Sequence, residues 1–140
     1  MSRIYWDTML FVYFLEDHPR FGDRVAHIWS RMKARNDKLC TASLTLGEIL
    51  VVPYKKGMAD RADQLEAFFA DSVDVIPFTV DTARRFARIR ASLGVSSPDA
   101  VHLACAAQSD TDLFLTNDAS LIGKAIPGIQ FIAGLNTDLL

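Results

Sequence analysis

The sequence predicts an α/β fold in which a parallel sheet is covered by helices on both faces. Two observations predict it: short apolar segments alternate with amphipathic helical segments, and no linker rich in Pro, Gly or Ser interrupts them. The length of 140 residues fits a single domain over residues 1–140, since domains most often contain about 100–150 residues. Hydrophobic residues make up 50% of the chain and charged residues 23%, which is typical of a globular rather than a disordered protein.

Five short apolar segments have the character of β-strands, and most of them lie between turn or cap residues. They are Arg3–Asp7, Lys38–Ala42, Val73–Phe78, Asp112–Thr116 and Ile129–Ala133. Because helical segments separate them, the strands are expected to run parallel. In such sheets a ligand binds outside the carboxyl ends of the strands, at a topological switch point.

The helical segments carry apolar residues at helical spacing. One apolar stripe covers Phe21–Met32, and another covers Val80–Leu93 and ends near Gly94, a typical C-terminal stop. Ser97 is predicted to cap a further helix, with proline at its first position, which opens the segment Asp99–Gln108.

Charge, hydropathy and cysteine usage exclude several classes of protein. The net charge of −2 argues against a basic nucleic-acid coat protein, although a nuclease with a local basic surface remains compatible with it. The apolar runs are far shorter than the about 20 residues that span a bilayer, so no membrane association is expected. No signal peptide is recognised, and Cys40 and Cys105 lack C-x-x-C spacing, which predicts buried reduced thiols and a cytoplasmic protein.

Four acidic residues stand in apolar surroundings with no lysine or arginine beside them in sequence. They are Asp7, Glu48, Asp99 and Asp118. Burial of a lone carboxylate is unfavourable unless a partner compensates its charge. A divalent cation bound in one crevice explains all four, and a ligand set of oxygens only suits Mg²⁺ or Mn²⁺ rather than zinc.

Each of these acids also has a purely structural interpretation. Asp7 would form a strand-end turn, and Glu48 would form a capping box with Thr45. Asp99 would be the second residue of its helix, a position that the helix dipole favours for an acid. Asp118 would be the N-cap of a helix over Ala119–Lys124. Taken one at a time, these interpretations explain the residues as well as a metal site does.

Four segments, in this order along the chain, resemble the PIN-domain nucleases, and specifically the VapC-like toxins. They are Ile4–Thr8, Ala42–Leu50, Ser97–Ala104 and Leu115–Asp118, and Ile126–Ile132 resembles the last strand of that family. The resemblance extends over essentially the whole chain. It implies a three-layer α/β/α sandwich with a central parallel sheet of about five strands.

The resemblance also implies a function, that of an Mg²⁺- or Mn²⁺-dependent endoribonuclease acting as the toxin of a toxin–antitoxin pair. Carried over by position, the four isolated acids form the catalytic, metal-binding cluster. Thr8 and Thr116 become accessory hydroxyl groups, and Asn117 a further accessory residue. The family implies a homodimer that is silenced by a small antitoxin, with RNA as substrate.

The positive charges and the histidines leave interpretations open. Arg20, Arg24, Arg31 and Arg35 fall within about 60° of one another on a helix, which suits RNA contacts, a partner surface or a solvated face. His102 is interpreted as a core histidine in preference to a site residue. The alternative function is a non-catalytic PIN-like module that binds RNA or protein.

Overall fold

The structure, a computed structural model, describes residues 1–140 and contains a five-stranded sheet in which all neighbouring strands are parallel. The strands are β1 (Arg3–Trp6), β2 (Lys38–Ala42), β3 (Asp74–Ile76), β4 (Thr111–Leu115) and β5 (Ile129–Ala133). Their spatial order is β3-β2-β1-β4-β5, so the chain builds outward from β1 to β3 and then crosses to the other side of β1. The topological switch point therefore lies between β1 and β4.

Helices cover both faces of the sheet, which gives the three layers that the family resemblance predicts. The helices are α1 (Thr8–Leu15), α2 (Gly22–Arg35), α3 (Ser43–Lys55), α4 (Ala59–Ser72), α5 (Val80–Leu93) and α6 (Ser97–Gln108). Side chains alternate across β1: Ile4 and Trp6 pack with α1, α2 and α4, whereas Tyr5 packs with α5 and α6. The predicted fold class is confirmed.

The strand boundaries follow the prediction closely and deviate for local reasons. Lys38–Ala42 and Ile129–Ala133 form strands with the predicted bounds. The first strand ends one residue early because the Asp7 side chain caps α1, although the Asp7 N–H still donates to the Leu115 carbonyl at 3.3 Å. The predicted strand Val73–Phe78 contracts to β3, since Pro77 has no N–H to donate to the neighbouring strand.

The turn between α5 and α6 corrects the predicted start of α6. Gly94, with φ of 63°, ends α5 in the left-handed conformation, as predicted. The N-cap of α6 is Ser96, whose side chain accepts the Asp99 N–H, so Ser97 is already helical. Proline is therefore the second helical residue rather than the first, and Asp99 the third rather than the second. Two adjacent serines are equivalent as caps in sequence, and only the chain path distinguishes them.

Two further predictions concern cysteines and membranes. Cys40 and Cys105 are buried and free, as predicted. Burial raises the pKa of each thiol to about 11, which keeps both protonated and unreactive near neutral pH. None of the six helices has both the length and the apolar character that crossing a membrane requires.

Candidate active site

Asp7 lies at the topological switch point, directly after β1. Its Oδ1 accepts the Leu10 N–H at 3.4 Å and so caps α1. Its Oδ2 accepts the hydroxyl of Thr116, which follows β4, at 2.5 Å. The same Thr116 oxygen accepts the Asp118 N–H at 3.0 Å. The threonine hydroxyl therefore connects the ends of the two central strands and fixes the start of the loop that carries Asp118.

The negative charge at this point is poorly compensated within the chain. Burial raises the pKa of Asp7 to about 6, hydrogen bonds from Thr116 and the Leu10 N–H oppose that rise, and the charge of Asp99 adds to it. Asp99, in the first turn of α6, is thus close enough to Asp7 to repel it. Neither carboxylate takes part in any of the three ion pairs of the protein.

Glu48 lies on α3 and is joined to Asp7 through the residue that follows Asp7 in the chain. The Thr8 hydroxyl donates to Glu48 Oε1 at 2.9 Å and also lies 3.2 Å from the Thr45 hydroxyl. The capping-box interpretation of Thr45 and Glu48 is wrong, because α3 already begins at Ser43 and both side chains bond to other elements. Glu48 is exposed, and its carboxylate is held by a neighbouring helix rather than by its own helix start.

Asp118 and Asn117 occupy the loop after β4, and both are exposed. Asp118 Oδ1 accepts the N–H and the hydroxyl of Ser120, at 2.9 and 2.7 Å. The segment Ala119–Lys124 consists of turns rather than a helix, so the predicted helix N-cap is wrong. Asn117 donates to the Tyr13 hydroxyl at 3.1 Å.

Two buried residues behind the acids are part of the same hydrogen-bond network. His102 is 5% exposed, as predicted for a core histidine, and burial lowers its pKa to about 4. Its Nδ1 lies 2.6 Å from the hydroxyl of the fully buried Tyr5, and its Nε2 lies 3.2 Å from the Thr8 hydroxyl. Two sequence signals point to this network: the spacing of three from Asp99 on a helix, and the alternation that places Tyr5 and Asp7 on one side of β1.

The donor chemistry of this site fits a divalent cation, although the groups do not form a closed cluster. No three carboxylate, imidazole or thiol groups lie close enough together to form a ready coordination group. Asp7 and Asp99 interact directly through their charges, whereas Glu48 and Asp118 are linked to Asp7 through Thr8 and Thr116. Uncompensated carboxylate oxygens are the ligands that Mg²⁺ and Mn²⁺ prefer.

The structure divides the four arginines that the sequence groups into one stripe. Arg24 and Arg35 donate to backbone carbonyl groups of the C-terminal segment 135–139, at 2.5–3.1 Å. Arg20 precedes α2 instead of lying on it, and its guanidinium group is 5.1 Å from the centre of the adjacent phenylalanine ring. Arg31 is exposed on α2. Two members of the stripe therefore have an intramolecular partner.

Several solved structures of VapBC toxin–antitoxin proteins are similar to this chain in fold. VapBC2 from Rickettsia felis, bound to a DNA fragment from its promoter, matches with a TM-score of 0.73 at 18% identity, over 94% of this chain and 98% of that chain. DNA-bound VapBC from Salmonella typhimurium matches with a TM-score of 0.73 at 22% identity, over 96% and 99%. VapBC-5 from Mycobacterium tuberculosis matches with a TM-score of 0.59 at 24% identity, over 94% and 98%.

At these identities the solved structures show a shared fold. No curated protein matches the sequence significantly. The model of the PIN domain family matches residues 4–126, which include the four main segments that carry the resemblance and end at the first residue of the fifth, Ile126–Ile132. Since this match extends over most of the chain, the protein belongs to the PIN domain family.

Proposed function

We propose that the protein is a divalent-cation-dependent endoribonuclease that acts as the toxin of a toxin–antitoxin pair. The proposal rests on one observation: Asp7, Glu48, Asp99 and Asp118 are linked around the switch point, and none of them has a basic partner. Membership of the PIN domain family and the fold shared with VapBC proteins support it.

In this proposal the chain supplies the ligands and holds them in place. A Mg²⁺ or Mn²⁺ ion bound by the four carboxylates would orient water and offset the negative charge of the phosphoryl group. Thr116 fixes Asp7 and the loop bearing Asp118, and Thr8 fixes Glu48. Asn117 is exposed at the rim, where its amide would contact the RNA.

Positive charge near the site would attract the RNA backbone. Arg20 and Arg31 are exposed, and neither is bonded to the C-terminal segment. Phosphate contacts of this kind raise affinity without reading the sequence, and they weaken as salt concentration increases. Arg24 and Arg35 would contribute their charge while they hold the end of the chain.

A groove beside Glu48 supports a protein partner, which we propose to be the cognate antitoxin. The groove has a volume of about 240 Å³ and lies between α1, α3 and α4. Its lining is largely apolar and includes Val12, Ile49, Val52 and Leu65, with Lys56 and Arg61 beside them. An apolar centre with charged groups at its rim has the composition of a protein interface. We further propose that the protein forms a homodimer in the cytoplasm. Light scattering would measure the mass of the dimer.

The test of the nuclease is cleavage of a mixed RNA substrate in Mn²⁺ by the wild type and by Asp99→Asn, purified in parallel, with a chelator control. Asp110→Asn is the matched control, because Asp110 is an exposed acid beyond the other end of α6 and its positive φ is tolerated by asparagine. We expect Asp99→Asn and the chelator to abolish cleavage and Asp110→Asn to preserve it. Equal cleavage by the wild type and Asp99→Asn would contradict the proposal.

The alternative, a binding module without catalysis, draws on the absence of a ready three-group coordination cluster. Titration with Mn²⁺ separates the two functions. Binding at millimolar concentration or below that depends on Asp7 favours the nuclease, whereas RNA binding without cation binding favours the module.

A further inference from the structure

A continuous row of hydrogen bonds leads from the interior of the protein to Glu48. The Ala42 N–H donates to the Tyr5 hydroxyl at 3.1 Å, and that hydroxyl lies 2.6 Å from His102 Nδ1. His102 Nε2 lies 3.2 Å from the Thr8 hydroxyl, which donates to Glu48 Oε1 at 2.9 Å. The row joins β1, β2, α6, α1 and α3, so it connects elements that are distant in sequence.

The donors and acceptors in this row determine one another. The Tyr5 oxygen already accepts the Ala42 N–H, so its own proton is directed to His102 Nδ1. A neutral imidazole that accepts at Nδ1 carries its proton on Nε2. Nε2 then donates to the Thr8 oxygen, and the single Thr8 proton goes to the Glu48 carboxylate, which at 2.9 Å is a nearer acceptor than the Thr45 hydroxyl at 3.2 Å.

The opposite tautomer breaks this order. With the proton on Nδ1, the Tyr5 oxygen would face two donors, and Nε2 would compete with Glu48 for the single Thr8 proton. Glu48 is exposed and has no other hydrogen-bond partner, so its carboxylate would then be free to sample several rotamers. The identity of the histidine tautomer therefore decides whether Glu48 is held.

We propose that His102 is a positioning residue, which orients the Thr8 hydroxyl so that Thr8 holds the Glu48 carboxylate in one orientation at the candidate site. The effect of His102 on RNA cleavage rests on the proposed function, whereas the effect of His102 on the position of Glu48 does not. Tyr5 and His102 are buried, so packing fixes their side chains. Through Thr8, these fixed side chains restrict the orientation of the exposed Glu48 carboxylate.

The first experiment is ¹⁵N NMR of the histidine rings in the metal-free wild type at pH 7.5. We expect His102 to carry its proton on Nε2 alone, with a bare Nδ1. His27, which is exposed on α2, provides the internal reference for a ring that exchanges between tautomers. A proton on Nδ1 of His102 would overturn the proposal whatever the protein does to RNA.

The second experiment compares Thr8→Val, His102→Leu and the double variant in kcat and KM for RNA cleavage and in Mn²⁺ affinity by calorimetry. We expect each single variant to lower kcat and Mn²⁺ affinity about 10-fold, the loss typical of removing a group that orients a metal ligand, with little change in KM. The double variant should be no worse than either single one, because both break the same row. Thr8→Ser should restore both quantities.

The matched control is Thr111→Val, which removes a buried hydroxyl that donates to the Ala106 carbonyl at the opposite end of β4. It should lower the melting temperature without changing kcat or Mn²⁺ affinity. Losses that add in the double variant would overturn the proposal. A wild type that binds Mn²⁺ but cleaves no RNA would contradict the proposed function alone, and the affinity comparison and the tautomer would still decide the role of His102.

Discussion

Acidic side chains occur at both edges of the sheet, and the two edges compensate their charge in opposite ways. At the amino edge, the Arg3 guanidinium pairs with Asp74 at 2.8 Å, and the Arg3 N–H donates to Asp112 at 2.7 Å. Asp37, whose side chain is buried, accepts the Ser2 N–H at 2.9 Å and lies 3.2 Å from an arginine. At the carboxyl edge, Asp7, Glu48 and Asp118 accept hydrogen bonds from hydroxyl or backbone groups, the Asp99 carboxylate accepts none, and none of the four acids pairs with a cation.

This difference separates acids that hold the fold from acids that lack a partner within it. At the amino edge, two arginines face Asp74 and Asp37, and Asp112 accepts a backbone N–H, so most of the negative charge there is offset within the chain. The carboxyl edge retains a buried carboxyl group whose pKa is raised by burial, which is a cost in stability. Features that weaken the fold in this way are concentrated at functional sites, where a ligand compensates them. The contrast is one of the grounds on which we propose a cation at the carboxyl edge.

The largest expected effect distinguishes the two edges by activity. Asp7→Asn should lower RNA cleavage by about 100-fold or more, the loss typical of removing one electrostatic group from a preorganised site. Asp112→Asn makes the same chemical change at the amino edge and should leave cleavage unchanged. Initial rates in Mn²⁺ with equal amounts of folded protein measure both. Similar losses in the two variants would mean that the contrast concerns stability only.

The second effect concerns stability without metal. Asp7→Asn removes the desolvated charge, so it should raise the melting temperature of the metal-free protein by about 5 °C near pH 7.5. Added Mn²⁺ should raise the melting temperature of the wild type, since a ligand that binds only the folded state stabilises it. The variant should respond much less. Calorimetry with and without chelator tests this, and a variant less stable than the metal-free wild type would refute the assignment of uncompensated charge.

The third effect tests the amino edge by removing its cation. Arg3→Met should lower the free energy of unfolding by about 1 kcal/mol, because the ion pair with Asp74 is partly exposed and the bond to the Ser109 carbonyl is lost as well. Cleavage of RNA should not change once the protein is folded. Urea denaturation measures the first quantity, and a selective loss of activity would show that the two edges are coupled.

The last expected effect is in the pH dependence of stability. The pKa of Asp7 rises from 3.8 to about 6 on folding, so its contribution to stability is lost as pH increases through that interval. The pKa of His102 falls from 6.5 to about 4, so its contribution is lost as pH decreases through that interval. The two largely cancel in the metal-free wild type. In Asp7→Asn, the free energy of unfolding should therefore rise more steeply between pH 4 and 6.5, which urea denaturation across that interval would show.

The periodic features of the fold could be predicted from the sequence because they arise from local patterns. Apolar segments between caps located the ends of all five strands within one or two residues, with the largest deviation at β3, and Gly94 correctly marked the end of α5. The four acids stand out for a similar reason, since their isolation in apolar stretches is a property of composition alone. Their roles as metal ligands stay a prediction.

The structural interpretations of individual acids were less successful, since caps depend on where a helix actually begins. Thr45 with Glu48 fits a capping box, yet α3 begins at Ser43 and places both residues in its interior. The segment after Asp118 has helical composition, but it forms turns in the connection between β4 and β5. The few residues around a possible cap do not determine at which residue a helix begins.

The sequence by itself determined the α/β architecture, the membership of the PIN domain family and the presence of acids without basic neighbours, because these follow from period, order and composition. Only the tertiary structure decided which side chains meet. Thr116 reaches Asp7 across 109 positions and His102 reaches Thr8 across 94, contacts that exist because β1 lies between β2 and β4. The pairing of Arg24 and Arg35 with the C-terminal segment has the same origin. Hydrogen bonds between distant residues depend on how strands and helices pack, and no local pattern encodes them.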